Sequence, residues 1–278
     1  MQGRLLPPVD GRIQAFPAAD WRAEFGSARS AGLDCIEWIF EEPGQDSNPV
    51  ATDSGLDEMR RLSAETGVAV RSICADYYMT RPLLTDEGPV PSTVSHLRWL
   101  VGRAGALGVE YVVLPFVDAS SLPSASGRRA LAEVLHAMGK LIDEARVELH
   151  LETDWQPDEV ATFLAGLAHP LIKANYDIGN SAALGHDPKQ GVRTLAGWLG
   201  SVHVKDRVLG GGTVPLGTGH ADLPTSFREI RAAGFRRPYI LQVARGEPGQ
   251  ESSLAIHNRE YVERLLERAE QGEGSEWN

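Results

Sequence analysis

Cysteine is almost missing from this chain. Only Cys35 and Cys74 occur, each inside an apolar run and too far apart for a CxxC pair. A disulfide framework and a thiolate zinc site are therefore disfavoured, and a reducing, cytoplasmic setting is expected. Long apolar runs are missing as well: none approaches the ~18 residues of a membrane span. The start, Met1-Gln2-Gly3-Arg4-Leu5-Leu6-Pro7-Pro8, lacks the apolar centre of a secretory signal, so no membrane partner is expected. Basic residues are in deficit, 27 Lys+Arg against 38 Asp+Glu, for a formal net charge of -11. A chain of that sign repels polyanions, which disfavours nucleic acid as a partner. Two phosphate signatures are also absent. No Gly-x-Gly-x-x-Gly follows the first strand-like run, and the glycine-rich stretch at 210–219 has no Gly-Lys-Ser/Thr of a P-loop.

What is present is an alternation. Strand-like runs at 1–6, 34–40, 68–75, 110–116, 147–152, 172–178, 201–205 and 239–243 are short and rich in β-branched residues. Helical patterns separate them at 20–31 (with Asp20 as cap), 53–66, 92–107, 128–146, 158–168, 188–199, 225–233 and 254–269, and 82–91 reads as a loop. Short strands with a helix after each imply parallel pairing through crossovers. A single (β/α)8 barrel spanning residues 1–278 is the expected closure, since such barrels commonly run ~250 residues. Its first strand would be shortened by Pro7-Pro8, and residues 270–278 form a polar tail expected to fray. A doubly wound open sheet is the structural rival.

Strand parity places the chemistry. In 147–152, Glu148, His150 and Glu152 share one face, and Val147, Leu149 and Leu151 the other. By the same count Lys173, Asn175 and Asp177, then Ser201, His203 and Lys205, then Ile240 and Gln242, face with Glu152. Glu152, Asp177 and His203 thus end three successive strands on one side and can converge on a divalent cation. Gln242 stands at the equivalent place on the last strand, where an amide oxygen can coordinate but cannot take up a proton. Gln2, Arg4, Glu37, Asp76, Asn180, Arg207 and Arg245 lie at or near strand ends and are expected to bind substrate. The arginines and Lys205 stand where barrels often hold phosphate. The loop 210–219 is expected to be a mobile cover, and Trp38, Tyr77 and Trp155 adjoin the expected mouth. Lys173 is either a structural ion pair or a Schiff-base lysine.

With these strand ends in place the sequence resembles the xylose isomerase-like TIM-barrel superfamily, in its sugar phosphate isomerase/epimerase branch, related to L-xylulose-5-phosphate 3-epimerases. The resemblance runs nearly end to end. It rests on Met1-Gln2-Gly3-Arg4-Leu5, Asp177-Ile178-Gly179-Asn180, His203-Val204-Lys205-Asp206-Arg207 and Leu216-Gly217-Thr218-Gly219. It implies a metal (Mn2+, Mg2+, Co2+ or Zn2+) held by Glu152, Asp177, His203 and the residue at 242, a sugar or sugar phosphate as substrate, and proton transfer through an enediolate. It leaves a homo-oligomer open. The family pattern expects Glu where Gln242 stands, and that Glu would be the second of two bases in an epimerase. Glu152 alone suffices for aldose-ketose isomerisation on one face, with Lys205 as a further catalytic candidate. The pattern also expects an apolar strand ahead of Met-Gln-Gly-Arg. A sugar-binding barrel impaired in catalysis, and a lyase using Lys173, are the alternatives.

Overall fold

The structure, a computed structural model, describes residues 1–271. Seven parallel strands hydrogen-bond in chain order: Cys35–Ile39, Ala69–Cys74, Tyr111–Phe116, Glu148–Thr153, Ile172–Asp177, Leu199–Val204 and Tyr239–Leu241. Helices at Asp53–Thr66, Pro91–Leu107, Ala125–Ala145, Pro157–Leu167, Pro188–Leu195 and Leu223–Ala232 supply the crossovers, and Glu251–Gln271 packs on Leu223–Ala232 and Ala23–Ser30. Residues 1 and 2 close the ring. Glu37 N donates to Met1 O (3.0 Å), Gln2 N donates to Leu241 O (3.0 Å), and Gln2 bridges Glu37 in parallel. The eighth strand of the (β/α)8 barrel is therefore a single bridge. Arg4 extends the seam with its side chain, donating from Nε to Val243 O at 2.7 Å.

The helices form because their apolar residues recur on one face. In Ala125–Ala145, Leu131, Leu135, Met138 and Ile142 are all buried against the sheet, while Ser124 caps the start by accepting from Gly127 N at 3.0 Å. Each such side chain contributes about 1.5–3 kcal/mol by leaving water. Across the sheet, Leu149, Leu151, Ile172, Ala174, Val202 and Val204 are buried in the same layer, so the opposite parity of each strand carries its polar residues into the barrel.

Several local expectations are corrected. Asp20 is not a cap: its carbonyl accepts from Ala23 N, and the helix is Ala23–Ser30, preceded by Arg22 with no side-chain cap. The stretch 82–91 contains a short antiparallel pair, Leu84–Thr85 with Gly88–Pro89, and the next helix starts at Pro91, whose missing N–H costs nothing in a first turn. The helix expected to reach 199 stops at Leu195, followed by a 3-10 turn at Ala196–Trp198. A further helix, Ile178–Ala183, was too short to show a period. Of the tail expected to fray, Glu270 and Gln271 complete the last helix, and the rest lies outside the described residues.

Candidate metal centre and active-site cleft

At the carboxyl end of the barrel Glu152, Asp177 and His203 are buried together, with donor atoms all within 4.8 Å of one another. His203 Nδ1 lies 3.7 Å from Glu152 Oε2 and 3.8 Å from Asp177 Oδ2. Its other nitrogen, Nε2, is 2.8 Å from Glu37 Oε1, and Glu37 also accepts from Ser72 Oγ at 2.8 Å. Glu37, expected to touch substrate, is instead fully buried behind the histidine. There it holds the proton on Nε2 and turns Nδ1 into the cluster, as a carboxylate behind a ligating imidazole does.

The cluster has bonding capacity to spare. His203 Nδ1 and Gln242 Oε1 are buried without a hydrogen-bond partner, and each such atom costs about 1–3 kcal/mol if left so. A divalent cation held by the cluster would use the free imidazole nitrogen, and Gln242 faces the same cleft. Two carboxylates, an imidazole and an amide oxygen form a donor set suited to Mg2+, Mn2+, Co2+ or Zn2+.

The Asp-Ile-Gly-Asn motif fixes the two carboxylates of the cluster. Asp177 Oδ1 accepts from Asn180 N at 2.8 Å and so starts the helix Ile178–Ala183, while Asn180 Nδ2 donates to Glu152 Oε1 at 2.7 Å. Gly179 is required because a Cβ there would sit 2.7 Å from Lys205 Cγ. That close approach sets Lys205 Nζ 2.8 Å from Asp177 Oδ2. The charges then divide. Burial, helped by the charge of Asp177, pushes Glu152 up to about 7 against the pull of His203 and Lys205. Burial would raise Asp177 too, but Lys205 and then His203 hold it well below the ordinary range. Burial would lower His203, yet the charge of Glu37, the nearby Asp177 carboxylate and the bond to Glu37 lift it to about 10. A cation would have to displace a proton from its Nδ1.

Above the cluster opens a cleft of about 580 Å³, into which Glu152 and Gln242 face. Arg4, Asp76, Asn180 and Arg207, the residues expected to bind substrate, line it, together with Lys205, the further catalytic candidate. Gln2 does not: it is fully buried in the barrel seam, its Oε1 accepting from Arg4 Nη1 at 3.1 Å. Nor does Arg245, whose Nε, Nη1 and Nη2 donate to the carbonyls of Ile13, Leu6 and Gly3, each at 2.8 Å, pinning the N-terminal segment. Sequence reasoning missed Gln14, Glu41 and Asp118 in the lining. Gln14 donates to Asp76, and Glu41 accepts from Phe16 N at 2.6 Å and Arg12 Nη1 at 2.7 Å. The one available signal was the polar character of 10–14 after the first strand. Burial raises Asp76 to about 6, opposed by Gln14 and Cys74.

Contacts decide five further features. Lys173 sits at the amino end of its strand, Nζ 3.3 Å from Glu148 Oε1, so it is a structural ion pair far along the strand from Asp177 and no Schiff-base lysine. Trp38 packs outside the barrel among Phe16, Trp21 and Phe25. Tyr77 stacks on His96 at 4.1 Å, and Trp155 is covered by the Arg128 guanidinium at 4.5 Å. The loop expected to be a mobile cover is tied down: Asp206 accepts from Gly217 N and Gly219 N (both 2.9 Å) and Ala221 N (3.0 Å), and Asp206–Arg207 pairs with Thr213–Val214. A side chain at Gly219 would collide with Asp206 itself.

A family model described as xylose isomerase-like TIM barrel matches residues 25–267. The chain belongs to that family. Among curated relatives of this barrel is the L-ribulose-5-phosphate 3-epimerase UlaE of Shigella flexneri serotype 5b, 25% identical over 244 residues covering 83% of this chain and 84% of the relative. Among solved structures, one of L-ribulose 3-epimerase superposes with a TM-score of 0.77 over 98% of this chain and 95% of that one, at 18% identity. A xylose isomerase-like barrel from Mycobacterium smegmatis in complex with magnesium superposes with a TM-score of 0.70 over 96% of each chain, at 20% identity. The relatives are thus sugar epimerases, and one structural neighbour holds a divalent metal. Among the described residues, no helix is long and apolar enough to cross a membrane.

Proposed function

We propose that this barrel is a metal-dependent sugar isomerase or epimerase that moves a proton through an enediolate, with Glu152 as base. The observation that carries the reading is Glu152 itself: buried, fixed by Asn180 at 2.7 Å, within the cluster of Asp177 and His203, and facing a cleft large enough for a monosaccharide. A carboxylate fixed at the floor of such a cleft is placed to take a proton from carbon beside a carbonyl and give it back. Glu152, Asp177, His203 and Gln242 would hold the metal, which when bound supplies Lewis acidity toward the carbonyl and the developing negative charge. Glu152 takes the α-proton and the electron pair moves onto the carbonyl oxygen; for isomerisation the proton returns to the neighbouring carbon as the hydroxyl proton passes to the former carbonyl oxygen, and for epimerisation a second group delivers a proton to the opposite face of the same carbon. Asn180 aims the carboxylate, and Lys205 and Arg207, which also contact Asn180 Oδ1 at 3.5 and 2.8 Å, hold substrate oxygens.

Gln242 supports a second reading, a sugar binder whose catalysis is impaired, because the amide cannot act as the opposing base. The two separate in deuterated water. With Mn2+ present, pentoses, hexoses and their phosphates are screened for deuterium entering a carbon-bound position. An isomerase or epimerase incorporates it on at least one sugar and the Glu152→Gln variant does not; binding without incorporation leaves only the sugar binder.

A further inference from the structure

Resting on the isomerase reading, we propose that Asp76 is a second catalytic residue, carrying the hydroxyl proton between two substrate oxygens while Glu152 carries the carbon-bound one. An aldose-ketose isomerisation moves both protons: one passes between neighbouring carbons, and one leaves the hydroxyl that becomes the carbonyl for the oxygen that was the carbonyl. Gln242 can take up neither, because an amide does not titrate. The ionisable groups of the cleft leave one candidate. Glu41 is paired with Arg12 at 2.7 Å, Lys205 with Asp177 at 2.8 Å, the guanidiniums of Arg4 and Arg207 do not give up a proton, and Asp118 is exposed. Asp76 is in no ion pair among the described residues, and its hydrogen bonds are to a neutral amide, Gln14, and a thiol, Cys74.

The carboxyl is held in place without being neutralised. An aspartate just ahead of a helix is ordinarily its cap, yet Asp76 makes no cap bond to Tyr77–Thr80. Arg4 Nη1 donates to Gln14 Oε1 at 3.2 Å, which turns the other end of that amide, Nε2, to Asp76 Oδ2. Oδ2 is therefore an acceptor whether or not the carboxyl is protonated, and the proton that Asp76 takes goes to Oδ1. The neighbour of Oδ1 is Cys74 Sγ at 3.3 Å, a thiol that donates and accepts weakly and so serves either state.

Register brings the two carboxylates level. Cys74 pairs with Val113 and Pro115 with Glu152, so Asp76, two residues past Cys74, comes level with Glu152 across the single strand Tyr111–Phe116. At the usual spacing of strands the two backbones are roughly 10 Å apart, and in an eight-membered ring they stand about a quarter turn from each other. The C–H bond that breaks lies across the carbonyl plane, so Glu152 must stand over one face of the sugar. A group a quarter turn away meets the edge, where the O–H bond and the oxygen lone pairs lie. Glu152 takes the carbon-bound proton, Asp76 Oδ1 takes the proton of the adjoining hydroxyl and passes it to the former carbonyl oxygen, and Glu152 protonates the neighbouring carbon. Both carboxylates end as they began, with no further reactant.

The test compares Asp76→Asn and Asp76→Glu with the parent, each loaded with Mn2+, on the pentoses, hexoses and phosphates of the deuterium screen. The metal-induced shift in melting temperature serves as the check that each variant folds. Nuclear magnetic resonance follows aldose-ketose product and, separately, deuterium in the recovered substrate. Exchange needs only Glu152, whereas product needs the hydroxyl proton as well. Asp76→Asn is therefore expected to lose product formation by about 10²-fold or more while exchange stays within a few-fold of the parent. Asp76→Glu, whose carboxyl is displaced by one methylene, should show the same split more weakly. Product formation within a few-fold of the parent in Asp76→Asn overturns the proposal, as does a parallel loss of exchange and product in both variants, or a parent whose exchange yields only epimers. A parent that exchanges no sugar at all sinks the isomerase reading itself, and this role with it.

Discussion

Two polar clusters share the inside of one barrel, a few residues apart on the same strands. At the amino end, Glu148 accepts from Arg237 Nη1 and Nη2 at 2.6 and 2.8 Å, lies 3.3 Å from Lys173 Nζ, and is 2.8 Å from His150 Nε2. His150 Nδ1 meets Ser201 Oγ at 2.9 Å, Ser201 accepts from Asn175 Nδ2 at 2.8 Å, and Tyr111 stacks on the imidazole at 4.2 Å. Both imidazole nitrogens are used, and burial drives His150 down to about 4. At the carboxyl end the same inward parity brings Glu152, Asp177, His203 and Gln242, but Nδ1 of the histidine and the Gln242 oxygen have no partner. The lesson is that inward polarity does not distinguish a structural network from a site. The kind of spare capacity does: the lower cluster leaves only an amide oxygen, Asn175 Oδ1, without a partner around its ion pairs, whereas the upper one gathers two carboxylates and a free imidazole nitrogen within 4.8 Å of one another.

Paired substitutions break or sharpen that contrast. The largest effect is expected at the carboxylates. Glu152→Gln should reduce substrate proton exchange by about 10²–10⁴-fold, the usual worth of a general base, while keeping its bond from Asn180 or a close equivalent. Glu148→Gln should leave exchange within a few-fold but lower the melting temperature, losing about 2 kcal/mol with its charge-assisted bonds. Rates in deuterated water and thermal melts check the two arms, and equal loss of exchange in both variants would erase the distinction between the ends.

Next are the histidines. At a Mn2+ concentration 100 times Kd, binding should stabilise the parent by about 2.7 kcal/mol. His203→Ala should lose that gain and His150→Gln should keep it, read as the metal-induced shift in melting temperature. An undiminished shift in His203→Ala would remove the imidazole from the metal.

The pH dependence follows with its sign. His150 titrates near 4 in the folded chain, below its ordinary range, so between about 6.5 and 4 the unfolded chain binds a proton that the folded one refuses, and stability falls with falling pH. Denaturant midpoints of the metal-free protein should show this acid limb, and His150→Gln should flatten it. His203 acts in the other sense: raised to about 10, it contributes stability that is complete below about 6.5 and is lost as pH rises through 10.

The smallest effect is expected at Gln242. Gln242→Glu should preserve the metal-induced shift and increase the ratio of 3-epimerisation to isomerisation, by placing a titrating group on the last strand. A parent that already epimerises as fast as the variant has its second base elsewhere. Asp206 is committed to three loop N–H groups and Glu247 stands outside the cleft, which leaves Lys205 and Asp76, both in the lining.

The barrel and the ligand set were legible because both depend on period. Helical spacing and strand parity survive in a linear reading, so Glu152, Asp177, His203 and Gln242 could be assigned to one end and one face before any contact was seen. The rest depends on which distant atoms meet. That Arg245 would bond the carbonyls of Gly3, Leu6 and Ile13, more than 230 residues away, leaves no trace in local pattern. Glu37 shows the same limit: its inward parity was visible, but whether it would face substrate or stand behind His203 depended on the barrel's radius. In the loop 210–219 the glycines were visible and suggested mobility, whereas the residue that fixes the loop, Asp206, lies before it in the chain.

The central claim is that the unpartnered atoms at the carboxyl end are the ligands of one divalent cation, and pulsed electron paramagnetic resonance of the protein with one equivalent of Mn2+ tests it most directly. The account predicts spin-echo modulation from a single imidazole nitrogen, present in the parent and in His150→Gln and absent in His203→Ala. Modulation that survives His203→Ala, or a Mn2+ spectrum with no nitrogen coupling in the parent, would contradict it.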